Sequence, residues 1–559
     1  MRAQAFAALL LLASLAAVRT QAAARAVPSP KPSPVETPAA MSAEDLLARW
    51  HAATGAERHP DDEREHWSIR VAGLEGTLEM LRHGADMQSE TTLGPFRTAR
   101  GTWHGLHWHQ NDNGETILDR PEPSQTEKPV TQSVALVHEP LDAWELSTTF
   151  ASGHVTRLYY DPHTFALIRS ERTVAGHTSH TLYDDFRSDA SGRTRAWHYF
   201  GGDDRPGNDF DYRLVHDDLA PAGAEAELGI PRDRRTLVEF PAGQDDVRLP
   251  ARIENGRIYV RVDIAGRGLD FLLDTGCSTL SINETVARQL GLGIYGRTTQ
   301  TVAGSFETGR VVVPALAIGE LAMHDVVMRT VPLASNEARD TRVVGLLGFD
   351  FLDEVALKID YGAGTVEAER PGSLSAPPGA ETLDIRLNSG TPVARAAIAD
   401  AVGEDFILDT GAAYSYVVFQ RFARAHPEAL ASARRTVGYA SGVGGTIETR
   451  AIDTKKVTLG GLSFDDGSGV EALSPNAFGF DNEDGLIGAD ILKQFTMYLD
   501  YAASRVYLAP SPRLQASATA PPRTATAGKP LLFSAPHKSA PEPASPAAPA
   551  APDRPLDRR

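Results

Sequence analysis

The sequence carries one stretch twice. FLLDTGCSTLSI, from Phe271 to Ile282, returns as FILDTGAAYSYV, from Phe406 to Val417, with Asp274 and Asp409 135 positions apart. SFET from Ser305 and TIET from Thr446 lie 141 positions apart, as do LAIGELAM from Leu316 and VTLGGLSF from Val457. GLLG from Gly345 and GLIG from Gly485 are 140 apart, and GFDFLDEVALKIDY (Gly348 to Tyr361) then aligns without a gap to GADILKQFTMYLDY (Gly488 to Tyr501). Landmarks in one order at a nearly constant offset mark a tandem duplication. PGSLSAPPGAE, between the copies, reads as their connector. Two copies in one chain are expected to pair about a pseudo-two-fold axis, so no second subunit is needed and a monomer is expected.

In each copy an apolar strand runs into Asp-Thr-Gly, and the glycines Gly276 and Gly411 permit a tight turn and close backbone approach. An apolar-apolar-Gly string follows about 70 residues later, Leu346-Leu347-Gly348 and Leu486-Ile487-Gly488. This pattern resembles the signature of aspartic peptidases. Each copy is similar to one retropepsin-like half, and the pair resembles the two-lobed pepsin-like arrangement, over about residues 250–508. The resemblance implies a catalytic pair, Asp274 and Asp409, supported by Thr275, Gly276, Thr410 and Gly411, with each threonine reaching across to the opposite loop. It also implies flaps folded over a polypeptide substrate, for which Gly304, Ser305 and Phe306 in the first copy and Gly445, Thr446 and Ile447 in the second are the candidates. Two carboxylates held close cannot both ionise freely. They share a proton, so one serves as base toward a water and the other as acid toward the scissile carbonyl. That chemistry calls for no metal and no cofactor.

The sequence departs from the family pattern beside the glycines. Cys277 and Ala412 follow where pepsin-like enzymes carry Ser or Thr, and Ser278 and Ala413 come next where retroviral enzymes carry an acid that grips the substrate backbone. The anchoring of substrate is therefore open, whereas the pair itself is not affected. Cys277 reads either as a redox handle or as a small filler at a packed position. As the one cysteine of the chain it rules out an intramolecular disulfide and a cysteine-rich metal site.

The 559 residues exceed one ordinary core. Residues 1–24 read as a signal peptide, with Arg2, an apolar run from Ala5 to Val18 too short to span a bilayer, and small residues at Ala22 and Ala24. A Pro-rich linker is expected at 25–40 and a β-rich accessory domain at 41–235. The peptidase halves follow at 245–372 and 380–510, and a disordered Pro/Ala-rich tail at 511–559. The accessory domain opens with a helix from Ser42 to Thr54, capped by Ser42. Short alternating stretches after it predict a curved antiparallel sheet. Phrases such as HWHQNDNGETIL and YYDPHTFALIRSER resemble the half-barrels of periplasmic lipoprotein-carrier and lipoprotein-sorting proteins. The fold class expected is therefore mostly β, a bilobal acid-peptidase barrel pair preceded by a curved sheet domain with few helices.

Other chemistries find less support. His107 and His109 share a strand face, a spacing found in metal sites, yet no carboxylate or cysteine pattern completes a set, and an exposed aromatic strand explains them as well. GxSxG is absent, so a serine hydrolase has no motif. With 55 Lys and Arg against 73 Asp and Glu, a formal charge of -18, the chain lacks the basic balance that broad nucleic-acid binding needs. The reading is an exported, periplasmic or secreted, aspartic endopeptidase that acts on polypeptides and has no membrane span in its mature form. The alternative is a non-catalytic envelope binding protein in which the half-barrel does the work and the peptidase fold is a scaffold.

Overall fold

The computed structural model describes residues 41–511, apart from 59, 120–128, 151–152, 175–176, 220, 222, 334–342, 432, 454–455, 465–467, 475–476 and 480–482. The expected signal peptide, linker and nearly all of the tail lie outside the described residues. The described chain is mostly β, as the alternating sequence predicts.

Helix α1, Ala43–Thr54, opens it, and the Ser42 side chain accepts a hydrogen bond from the Asp45 N–H, satisfying a donor that the first turn leaves unpaired. Leu46 and Trp50 of α1 pack on Leu146, Leu158 and Tyr160 of a thirteen-stranded antiparallel sheet. In that sheet the first strand, Asp62–Val71, lies beside the last, Phe210–Asp218, at the centre. The chain winds outward to one edge at Thr116–Asp119, resumes at the other edge at Pro129–Val137, and winds back.

The repeat folds twice into one topology. In the first copy the strand Arg267–Leu273, which leads into Asp274, runs parallel to Val343–Leu347. Ser281–Asn283 pairs antiparallel with that latter strand and parallel with Leu321–Val331. In the second copy Ala401–Asp409 runs parallel to Gly485–Gly488, while Tyr416–Val418 pairs antiparallel with it and parallel with Ser468–Ala472. Strands buried on both faces are continuously apolar, as FLL, FIL, GLLG and GLIG are. The first copy's sheet also takes in Val238–Glu239, which pairs with Leu321–Val331.

A six-stranded sheet joins the copies. At its middle Ala356–Asp360 of the first copy pairs antiparallel with Phe495–Asp500 of the second, register Leu357 to Leu499 and Ile359 to Met497. Those four side chains are buried in one apolar core shared by both copies. Apolar burial of this kind stabilises by about 25 cal/mol per Å², so neither half is expected to keep its shape alone.

Candidate active site

Asp274 and Asp409 end equivalent strands and face each other. A Cβ built on Gly276 would sit 2.8 Å from the Asp409 carboxyl carbon, and one on Gly411 would sit 2.6 Å from that of Asp274. No side chain fits at either glycine, which is the close approach the Asp-Thr-Gly turns require. Behind them the threonines cross over. Thr275 Oγ1 donates to the Leu408 carbonyl at 2.5 Å, and Thr410 Oγ1 donates to that of Leu273 at 2.9 Å. The N–H of Thr410 donates to Thr275 Oγ1 at 2.9 Å, and the N–H of Thr275 to Thr410 Oγ1 at 3.2 Å. Both threonines are fully buried, so these reciprocal bonds satisfy groups that water cannot reach and fix the loops in register.

The elements behind each loop are equally tight. Gly348 lies where a Cβ would strike the carbonyls of Cys277 and Thr279, at 2.3 and 2.5 Å, and Gly488 where one would strike that of Tyr414 at 2.2 Å. The N–H of Asp274 donates to Leu347 O at 3.0 Å, which ties the loop to the apolar-apolar-Gly strand.

Electrostatics separates the two acids. Burial, and then the neighbouring negative charge of Asp409, push the Asp274 carboxyl well above the ordinary carboxylate range. Burial also raises Asp409, but bonds from Gly411, Ala412 and Asp274 oppose it. The N–H groups of Gly411 and Ala412 donate to Asp409 Oδ1 at 2.8 and 3.1 Å, whereas Asp274 Oδ1 receives one N–H, from Gly276 at 3.0 Å. The additional N–H on Asp409 favours its charged form, so the upward displacement is the greater at Asp274. The guanidinium of Arg257 weakly favours the charged form of both. It stands next to an Asn255-Gly256 hairpin turn with positive φ at both residues, a local signal that marks the turn and not the charge.

Two more groups went unread in the sequence. Tyr361 and Tyr501 close the aligned segments of the two copies, and both hydroxyls are buried without a hydrogen-bond partner. Burial raises both phenols, and the charge of Asp409 reaches each. Their signal was the repeated Asp-Tyr at the end of each copy. Cys277 is packed at the loop, its Sγ 3.1 Å from Thr279 O, and burial pushes its thiol up to about 12, which leaves it without thiolate character.

The expected flap residues come together at two hairpin tips. The first hairpin joins Tyr295–Thr301 to Ser305–Ile318, and the second joins Ala433–Gly442 to Gly445–Asp453. The N–H of Ala303 donates to Val443 O at 3.0 Å. Gly304 lies so near the opposite tip that a Cβ would be 2.3 Å from Gly444 O, and Gly445 packs on Gly304. Phe306 lies against Gly444. Ser305 and Thr446 are exposed, and the Ser305 hydroxyl bonds that of Thr301 at 2.8 Å. Ile447 is buried in an apolar cluster with Ala303 and Ala440, against which Ala412 and Tyr414 of the Asp409 loop pack.

Residues 260–351 match the aspartyl protease family. The segment of that aspartyl protease match includes Asp274, Thr275, Gly276 and the first apolar-apolar-Gly string. No curated protein matches the chain. Among solved structures it is similar to an aspartic proteinase from Irpex lacteus, at 15% identity and a TM-score of 0.30, over 49% of this chain and 99% of that one. It is similar to a retropepsin-like aspartic protease from Rickettsia conorii, at 20% identity and a TM-score of 0.18, over 24% of this chain and 93% of that one. It is also similar to a putative outer membrane lipoprotein-sorting protein domain from Vibrio parahaemolyticus, at 10% identity and a TM-score of 0.23, over 32% of this chain and 89% of that one.

His107 and His109 lie on the strand Leu106–Gln110, with His107 exposed and bonded to Thr102 Oγ1 at 3.0 Å. Three carboxylates, Glu63, Glu65 and Asp217, converge inside the N-terminal sheet, and the guanidinium groups of Arg193 and Arg195 stand among them. No helix among the described residues is long and apolar enough to cross a membrane.

Proposed function

We propose that this protein is an aspartic endopeptidase that hydrolyses peptide bonds of polypeptide substrates with a water activated between Asp274 and Asp409. The observation that carries the reading is the pair itself, two carboxyls brought face to face and held there by the crossed threonines. In the proposed reaction the Asp409 carboxylate takes a proton from the water as its oxygen attacks the scissile carbonyl. Asp274 gives its proton to the carbonyl oxygen, and return of a proton to the amine releases the two products. The sequence of the first 24 residues supports export, and the six-segment partition read from the sequence belongs to the same proposal.

The test is cleavage of a mixed peptide library by the purified chain across pH 3–8, with and without a peptide analogue that carries a hydroxyl in place of the scissile carbonyl. Cleavage blocked by the analogue and absent from Asp409→Asn is expected. An intact library at every pH would leave the binding-protein reading in its place.

A further inference from the structure

Among the described residues the strand Tyr295–Thr301, outer strand of the first hairpin, has one strand neighbour, Ser305–Ile318. Its other edge is covered by the loop 203–208 of the N-terminal sheet. Asn208 is buried there, and its Oδ1 accepts from the Thr299 N–H at 2.8 Å while its Nδ2 donates to Thr299 O at 3.1 Å. One amide side chain thus supplies both bonds that a residue of a pairing strand would make. The second N–H of Nδ2 goes to Asp203 Oδ2 at 3.1 Å, so the amide has no slack. Around it, Thr299 Oγ1 donates to Pro206 O at 2.9 Å, and Arg205, held by Asp203, donates from Nη1 to Thr301 Oγ1 at 3.1 Å. Further along, the Arg297 N–H donates to Ala72 O at 3.1 Å, and the Tyr295 ring meets Phe96 edge-on at 5.7 Å. Gly207 sits so close that a Cβ would be 2.0 Å from Arg297 O.

The second hairpin differs. In the two hairpins Thr298 pairs with Thr308 and Gly438 with Thr449, so Thr298 corresponds to Gly438. Thr298 is buried and Gly438 exposed. Residues 436–439 are all exposed, whereas 296–300 are buried or half-buried.

We propose that the loop 203–208 is a clamp that fixes the first hairpin, so that the second hairpin alone moves to admit and release a polypeptide. The substrate half of this statement rests on the peptidase reading; the clamp itself does not. Opening the second hairpin breaks the bond from Ala303 N–H to Val443 O and withdraws Ile447 from the cluster it shares with Ala303, while the first hairpin keeps its hydrogen bonds to the N-terminal sheet. Clamp residues are positioning residues, since they touch neither the pair nor substrate.

Hydrogen exchange read by mass spectrometry on the full chain tests this without any activity. Peptides covering 295–301 are expected to exchange about tenfold more slowly than those covering 436–442. Asn208→Ala should bring 295–301 up to the faster rate and leave 436–442 and 495–500 unchanged. Thr301→Ala, an exposed site that loses the Arg205 bond and the hydroxyl bond to Ser305, should give a smaller rise confined to the first hairpin and guards against a variant that fails to fold. On a cleaved peptide Asn208→Ala should raise KM severalfold with kcat little changed, because fewer molecules hold the first wall of the cleft in place. Equal exchange of the two hairpins in the wild type, or an unchanged 295–301 in folded Asn208→Ala, overturns the clamp. Absence of cleavage by the wild type overturns the peptidase reading and leaves the clamp to the exchange result.

Discussion

At Asp274 and Asp409 the arrangement that supports chemistry works against stability. Both carboxyls have folded-state values above the unfolded value near 4, so the native state favours their protonated forms. The sign follows: stability is unaffected below about pH 4 and is lost as pH rises from there through the raised values. Asp274→Asn is therefore expected to melt at a higher temperature than wild type at pH 7, with the gap closing toward pH 3 in parallel calorimetric scans. The same variant, and Asp409→Asn, should each lose at least about a hundredfold in turnover, and the double variant should be scarcely worse, since the two act as a unit. Retention of more than roughly a tenth of the rate by Asp409→Asn would remove the second copy from the chemistry. Turnover should be bell-shaped in pH, with its alkaline limb above the ordinary carboxylate range because Asp274 keeps its proton there. These residues were legible in the sequence because an invariant local need, a carboxylate at a glycine turn, is written twice. Asn208 was not, because its partner Thr299 is 91 residues away and nothing in the phrase GGDDRPGNDF marks an amide that pairs with a distant strand.

Among the elements, the turn Asn111–Glu115 seats the N-terminal sheet on the first copy. Asn113 exchanges two hydrogen bonds with the backbone of Val327, Asn111 donates to Asp350 Oδ1 at 2.9 Å, and Asp350 in turn accepts from the Leu280 N–H at 2.6 Å. Glu115 is 2% exposed in this seat. Burial and the charges of Asp350, Asp353 and Glu354 push its carboxyl well above the usual range. Burial and the charges of Glu354, Asp233, Asp350 and Asp500 push Asp353 up to about 7, while Arg235 offsets part of the charge at Glu354. Raised carboxyls again stabilise the folded state in acid, so the seat is expected to loosen as pH climbs from about 4 through 7. Glu115→Gln should flatten that part of the melting-temperature profile between pH 4 and 7, and an unchanged slope would assign it to other groups. The strand Asp62–Val71 shows why the N-terminal sheet was harder to read than the repeat. Its buried face begins with Glu63 and Glu65, which are neutralised by Arg193 and Arg195 from across the sheet, so an alternation of apolar residues is missing where the strand is most buried.

At the scale of the molecule, the six-stranded sheet makes the two copies one folding unit. A protease site inserted between Ala376 and Pro377 of the connector, then cut, should leave both halves eluting together on size exclusion, because Leu357, Ile359, Met497 and Leu499 would otherwise meet water. Separation into two species after cutting would contradict the shared core. Specific activity should likewise not change on dilution. The duplicated landmarks announced this plan, whereas the seating of the N-terminal sheet on the first copy could not be read from either copy. That one-sidedness has a hereditary meaning. Where two identical subunits form a cleft, one gene writes both walls, and every substitution appears on each. Here the walls are separate stretches of one reading frame, so Thr298 and Gly438, equivalent positions of the two hairpins, answer to different selective demands, and a partner can be acquired on one side without blocking the other.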